Sequence, residues 1–275
     1  MMTSAAVLLM LVSSNAFNET FERATQAYAD KDYGRAVQLY EQLVADGVEH
    51  PHVFYNLGDA YYRKGRLGWA IANYERALQL DPGFQSAQHN LDQCLAQTKR
   101  QLARPLPPDW EQSVLFWHYS LSRRVTLVVG LVCWIAMWLA LGFRLWRMAL
   151  GKPRPRYMRR LAALFAVIAV AFGVSAWVKA HPAMRAVASE PLVPVRYGMS
   201  DDEVVRFELY EGDRVMVDDR RDGWARVVTA TGYRGWARDE GLAFVGPPYE
   251  LPPKPEALAA EADSAAPAPR QAGES

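Results

Sequence analysis

Nucleophilic, acid–base and metal chemistry needs histidines, thiols or carboxylates at defined spacings, so those residues come first. The chain of 275 residues has five histidines and two cysteines. His89, His118 and His181 are scattered, and only His50 and His52 lie close, on either side of Pro51. A proline flanked in this way suits a helix start, where the two imidazoles would cap or face solvent. Cys94 falls on a predicted helix and Cys133 inside an apolar run, so both are expected to be free thiols. Their separation gives no zinc spacing, and neither a phosphate-cradling glycine motif nor a nucleophile elbow occurs. The expectation is a protein with no catalytic residues, no cofactor and no metal, and not an enzyme. Lys and Arg total 31 against 30 for Asp and Glu, which gives no electrostatic support for a nucleic-acid partner.

The residues that remain for recognition are aromatic, and a repeat positions them. At an offset of 34 residues Tyr28 matches Tyr62, Gly34 matches Gly68, Ala36 matches Ala70, Tyr40 matches Tyr74 and Glu41 matches Glu75. Residues 51–84 resemble the tetratricopeptide family, with Leu57, Gly58, Tyr61, Gly65, Ala70, Tyr74, Ala77 and Pro82 at its signature positions. The first copy, about 17–50, is weaker, since Ala24 and Ala27 stand for the Gly and Tyr. A third helix with Leu91 and Leu95 reads as a solvating cap, closing an α-helical solenoid over 18–102. The resemblance implies a concave face lined by the first helix of each repeat. Here that face holds Asn18, Phe21, Thr25, Tyr28, His52, Tyr55, Asp59 and Tyr62. Thr25 and Asp59 stand at Asn positions of the family's carboxylate clamp, so that clamp is absent. The aromatics suggest capture of an apolar peptide by one or two anchoring side chains.

After a linker, 103–124, two uncharged runs follow, Val125–Phe143 and Leu161–Val178. Each has about the length that crosses the ~30 Å hydrocarbon layer. The connection between them, 144–160, carries Arg144, Arg147, Lys152, Arg154, Arg156, Arg159 and Arg160 without an acid. Short basic loops stay cytoplasmic, so both termini are expected on the exterior, the periplasm of a bacterium. A short apolar run over Ala5–Val12, ending in Ser14-Asn15-Ala16, reads as a signal peptide over 1–16, although no basic residue precedes it. No ionisable residue lies within either span, which argues against an ion pathway. In the second span Ala162, Ala166, Ala169, Gly173 and Ala176 line one helix face. In the first, the bulky Leu127, Leu131, Trp134, Trp138 and Leu141 recur at the same spacing. The expectation is a hairpin in which Trp134 and Trp138 pack into the small stripe; the alternatives are lipid-facing tryptophans or a small stripe that receives a helix from another subunit.

Beyond the hairpin, short β-prone runs alternate with Gly-Asp and Asp-Gly turns. Residues 191–245 resemble the bacterial SH3-like family through Val195-Arg196-Tyr197, Glu211-Gly212-Asp213, Gly223-Trp224-Ala225-Arg226-Val227 and Gly235-Trp236-Ala237. That implies a small all-β barrel, with Tyr197, Trp224 and Trp236 as ligand-face candidates. The two tryptophans form either an exposed peptide or glycan platform or a cover over the barrel's own edge. Residues 246–275, rich in Pro, Ala and Glu, read as a disordered tail. The order of segments is similar to the BatE-type proteins of aerotolerance (Bat) operons. That resemblance implies von Willebrand A-domain membrane partners and a role in envelope stress or protein maturation. The composite expectation is an inner-membrane envelope scaffold whose partners are envelope proteins, the lipid bilayer and a cell-wall peptide. A wall sensor signalling through a partner is the alternative.

Overall fold

The computed structural model describes residues 4–100, 115–151, 153, 156–181 and 183–252, with side chains from Phe17 onward. The helices are α1 (Ser4–Ala29), α2 (Tyr33–Ala45), α3 (Pro51–Arg63), α4 (Leu67–Leu80), α5 (Gln85–Gln97), α6 (Phe116–Ser120), α7 (Arg123–Ala149) and α8 (Arg156–Ala180). The strands are β1 (Arg185–Ala188), β2 (Leu192–Arg196), β3 (Val205–Tyr210), β4 (Arg214–Arg221), β5 (Trp224–Val228), β6 (Arg234–Arg238) and β7 (Leu242–Val245).

Helices α1 to α5 form the repeat block. Asp32 caps α2 by accepting the Arg35 amide, and Pro51 opens α3 with the His50 imidazole accepting the His52 amide at 3.3 Å. The His50–His52 pair is therefore a cap. Gly58 has to be small, because a Cβ there would stand 2.8 Å from the Tyr74 ring where α3 crosses α4. Ala24, Val53, Leu57, Ala70, Ile71 and Ala77 are fully buried between the helices. Each large aliphatic side chain so buried is worth about 1.5–3 kcal/mol. The supposed signal, residues 1–16, lies where no side chains are described; the backbone of α1 runs through it.

Helices α7 and α8 are long and apolar enough to cross a membrane, and they pack as an antiparallel pair. The helices outrun the uncharged runs: Arg144 and Arg147 ride on α7, and Arg156, Arg159 and Arg160 on α8, leaving a short turn between. The seam differs from the expected one. Trp134 and Trp138 are 48% and 57% exposed, as Leu127 and Leu131 also are, on the outer face. Thr126, Met137 and Ala140 are the buried residues of α7, facing Ala162, Ala169, Ser175 and Ala176 of α8. Gly130 meets Phe172 and the backbone at Ala169 and Gly173, and Ala166 packs beside Met137, Ala140 and Ala162. Small residues from both helices thus make the close approach, and the tryptophans are turned outward, since lipid solvates them as well as a helix would. At one end of the hairpin α6 lies across it. Trp117 stacks on Phe172, His118 shares a 2.7 Å hydrogen bond with Ser175, and Lys179 donates to the Leu121 carbonyl and to Thr126.

The strands make one antiparallel sheet in the order β3-β2-β6-β5-β4-β1-β7. Its ladder does not close, because β3 and β7 are unpaired with one another, so the expected barrel is an open, curled sheet. Strand β1 precedes the expected start at 191 and pairs with both β4 and β7. Ala186, Ala188, Leu242 and Phe244 face the sheet's own core, whereas Val187, Ala243 and Val245 belong to the core of the repeat block. Strands buried on both faces need this continuous apolar run.

The sheet is docked on α4, whose residues Gly68 to Ala77 are all buried. A Cβ on Gly68 would stand 2.3 Å from the Ala188 carbonyl oxygen, so only glycine permits the contact. Glu75 is flanked by Arg185 (3.4 Å) and Arg214 (3.3 Å) of the sheet. Arg76, wholly buried, donates to Phe244 O, Glu250 O and Asn73 Oδ1, and lies over the rings of Phe54, Trp69 and Tyr249. Residues 246–252, expected in the tail, are part of this docking: Tyr249 packs on Phe54 at 4.6 Å, and Glu250 pairs with Arg220. The rest of the tail, 253–275, lies outside the described residues.

Candidate functional site

The expected groove residues lie on α1 and α3, and α5 packs beside them. In the first half of the groove Phe17 stacks on Phe21 at 5.8 Å, Phe21 meets Tyr40 edge-on, and Thr25 and Asn56 hydrogen-bond the Tyr40 hydroxyl. His52, exposed, packs its ring against Phe84 at 4.8 Å, and Tyr55 meets the same phenylalanine at 5.0 Å. Tyr55 is thus partly committed to the block's own packing.

The second half is polar. Asp59 Oδ1 accepts from the Tyr74 hydroxyl at 2.6 Å and from Asn90 Nδ2 at 2.8 Å, and Asn90 also donates to the Tyr55 hydroxyl. Burial raises the Asp59 carboxyl above the ordinary aspartate value, despite these donors. Tyr28 accepts from Arg63, and Tyr62 from Gln97. Together Tyr28, Asp59, Tyr62, Arg63, Tyr74, Asn90 and Gln93 line a pocket of about 180 Å³. Cys94 lies beneath it, and burial pushes its thiol up to about 12. It is an inert core thiol, free as expected, and Cys133 is free too.

Sequence reasoning placed Tyr28, Tyr55, Asp59 and Tyr62 on this face but missed the contributions of α5. Asn90, Gln93 and Gln97 recur at helical spacing on α5, the polar side of a helix read only as a cap.

Of the ligand-face candidates, Trp224 on β5 and Trp236 on β6 share one face of the sheet, each paired across the strands with an arginine, Arg238 and Arg226. Tyr197 is 61% exposed with Arg206 over its ring, and Trp236 is half-buried beneath Arg226. Trp224 is buried, with Arg238 over it at 4.4 Å and Asp201 holding that guanidinium. It stands on β5, which is paired on both sides, and lines a larger cleft of about 930 Å³ between sheet and repeats. That cleft also takes in Glu41, Tyr61, Trp69 and Pro252. The Tyr61 hydroxyl donates to Glu41 there. Among the described residues no cluster of three or more His, Cys, Asp or Glu could hold a metal ion.

A search of curated protein sequences gives no match to the chain. Residues 51–84, the helix pair α3–α4 that carries Tyr55, Asp59, Tyr62 and Tyr74, match the tetratricopeptide repeat family, whose repeats support protein–protein interaction.

Proposed function

We propose that the protein is a membrane-anchored scaffold of the bacterial envelope that captures a polypeptide in the concave groove of its repeats. The observation that carries this reading is the docking of the sheet on α4. The hairpin α7–α8 is inserted in the chain between two parts of one packed body, joined by Arg76, Glu75 and Gly68. Both ends of an antiparallel hairpin then have to leave from the same side of that body. The outward tryptophans of α7 meet each other edge-on at 6.0 Å and stay about half exposed, as do Leu127 and Leu131, which suits a hydrocarbon surrounding. The basic residues between the two apolar runs support an exterior position for that body, by the preference of Lys and Arg for the cytoplasmic side.

The sheet's composition supports an SH3-like module, here serving to brace the repeats rather than to present Trp224. The segment order supports a Bat-type complex with von Willebrand A-domain membrane proteins as partners. The test is co-purification from solubilised membranes of the native host with tagged full-length protein. Tyr28→Ala combined with Tyr62→Ala removes two groove rings that lie outside the Tyr55–Phe84 packing. Envelope proteins held by the wild type should be lost from this variant while its helical circular dichroism is kept. Unchanged co-purification with a folded variant would overturn the groove as the capture surface.

A further inference from the structure

The groove's polar half makes a narrower statement about the partner, resting on the reading of this face as the capture surface. We propose that the pocket over Asp59 receives the ammonium group of a lysine side chain from the partner polypeptide. The pocket, about 180 Å³, is smaller than the roughly 300–1,000 Å³ of ordinary small-molecule sites and suits one side chain. Its floor is a carboxylate. Asp59 is held by neutral donors, Tyr74 at 2.6 Å and Asn90 at 2.8 Å, and no cation stands within ion-pair distance of it among the described residues.

A half-buried carboxylate hydrogen-bonded by neutral donors and without an ion-pair partner keeps a charge that an incoming cation can pair. The walls are suited to the same guest. Tyr28 and Tyr62 line it with aromatic rings and hydroxyls, and Gln93, whose amide nitrogen faces His89, keeps its carbonyl oxygen as an acceptor. An ammonium with three N–H donors on a flexible apolar stem fits such a set of acceptors. Arg63 stands at the mouth, but its Nε is held by the Tyr28 hydroxyl at 3.3 Å and its charge is exposed to water, which screens it. An acidic side chain would meet the Asp59 charge directly, and an apolar one would leave it desolvated without compensation.

The probes are N-acetyl-lysine amide, its Nε-acetylated form, N-acetyl-arginine amide and N-acetyl-glutamate amide. Each is titrated against the full chain in detergent micelles by saturation-transfer NMR. Weak binding of the lysine amide is expected, with no binding of the Nε-acetylated or glutamate probes. Asp59→Asn should weaken the lysine amide by about tenfold or more. The comparison of lysine with acetyl-lysine needs only the wild-type protein, so it stands even if the variant misfolds. Equal binding of the two lysine probes, tighter binding of the arginine amide, or full binding by a folded Asp59→Asn protein would overturn the assignment. If partner capture is still lost in the Tyr28→Ala, Tyr62→Ala variant, only the lysine assignment falls. If capture survives there, the groove reading falls and this one with it.

Discussion

Arg76 on α4 donates to the Phe244 carbonyl through two nitrogens, Nε at 3.1 Å and Nη2 at 2.7 Å, joining the repeat block to the last strand of the sheet. Every acceptor it has is neutral, and burial brings the guanidinium down to about 10, still charged at neutral pH. Arg76→Ala leaves the carbonyls of Phe244 and Glu250 without this donor and opens a cavity under Phe54, Trp69 and Tyr249. The expected cost is about 3 kcal/mol or more. Gly68→Val should separate the same surfaces by steric clash with Ala188 O. Calorimetry of the full chain in micelles should show one transition of the repeat–sheet body becoming two in either variant. A single transition at the wild-type midpoint would mean that the docking contributes little.

The hairpin seam gives a sharper contrast. Ala169→Leu puts bulk into the close approach at Gly130, whereas Trp134→Ala and Trp138→Ala alter only the outer face. Cysteines at Ala140 and Ala162, both buried in the seam, report the contact by oxidative cross-linking. Cross-linking should drop several-fold with Ala169→Leu and hold in both tryptophan variants. The reverse order would return the tryptophans to the seam.

The contrast also shows how far the sequence could be read. The repeat is legible because its period and Gly58 are local consequences of two helices crossing. The two spans are legible from composition, and so is the small stripe of α8. The partner face of α7 is not: of the bulky set only Leu141 packs against the seam, while 127, 131, 134 and 138 lie on the outer face beside the seam residues 126, 130, 137 and 140. Apolar bulk does not choose between a helix and lipid. The docking of the sheet is illegible for another reason. Glu75, Arg76 and Gly68 carry no local signal, since Gly68 also matches a repeat position and the charged pair reads as a solvated helix face. The continuous run Leu242–Val245 was the visible sign, because an apolar strand without alternation is covered on both sides. Asp59 was visible only as a departure from Asn, with its neutral donors Tyr74 and Asn90 supplied from other helices.

Asp59 should carry a stability cost. Its folded-state pKa is raised by burial, so the ionised form is disfavoured in the fold. That penalty is fully present above the folded value and vanishes as pH falls below the unfolded value of about 3.9. Asp59→Asn should therefore be the more stable protein at pH 7, with the difference shrinking as the pH approaches 4. Denaturant unfolding at both pH values checks this, and a variant less stable at pH 7 would contradict it.

Membrane sidedness tests the central claim most directly. In a background with Cys94→Ser and Cys133→Ser, single cysteines are placed at Ser86 in the repeats, Thr229 in the sheet and Pro155 between the spans. Cells permeabilised only at the outer membrane are then treated with an impermeant maleimide. The account predicts labelling at Ser86 and Thr229 together and protection at Pro155 until the inner membrane is broken. Labelling of Ser86 and Thr229 on opposite sides, or of Pro155 alone, would contradict one packed body held on the exterior face.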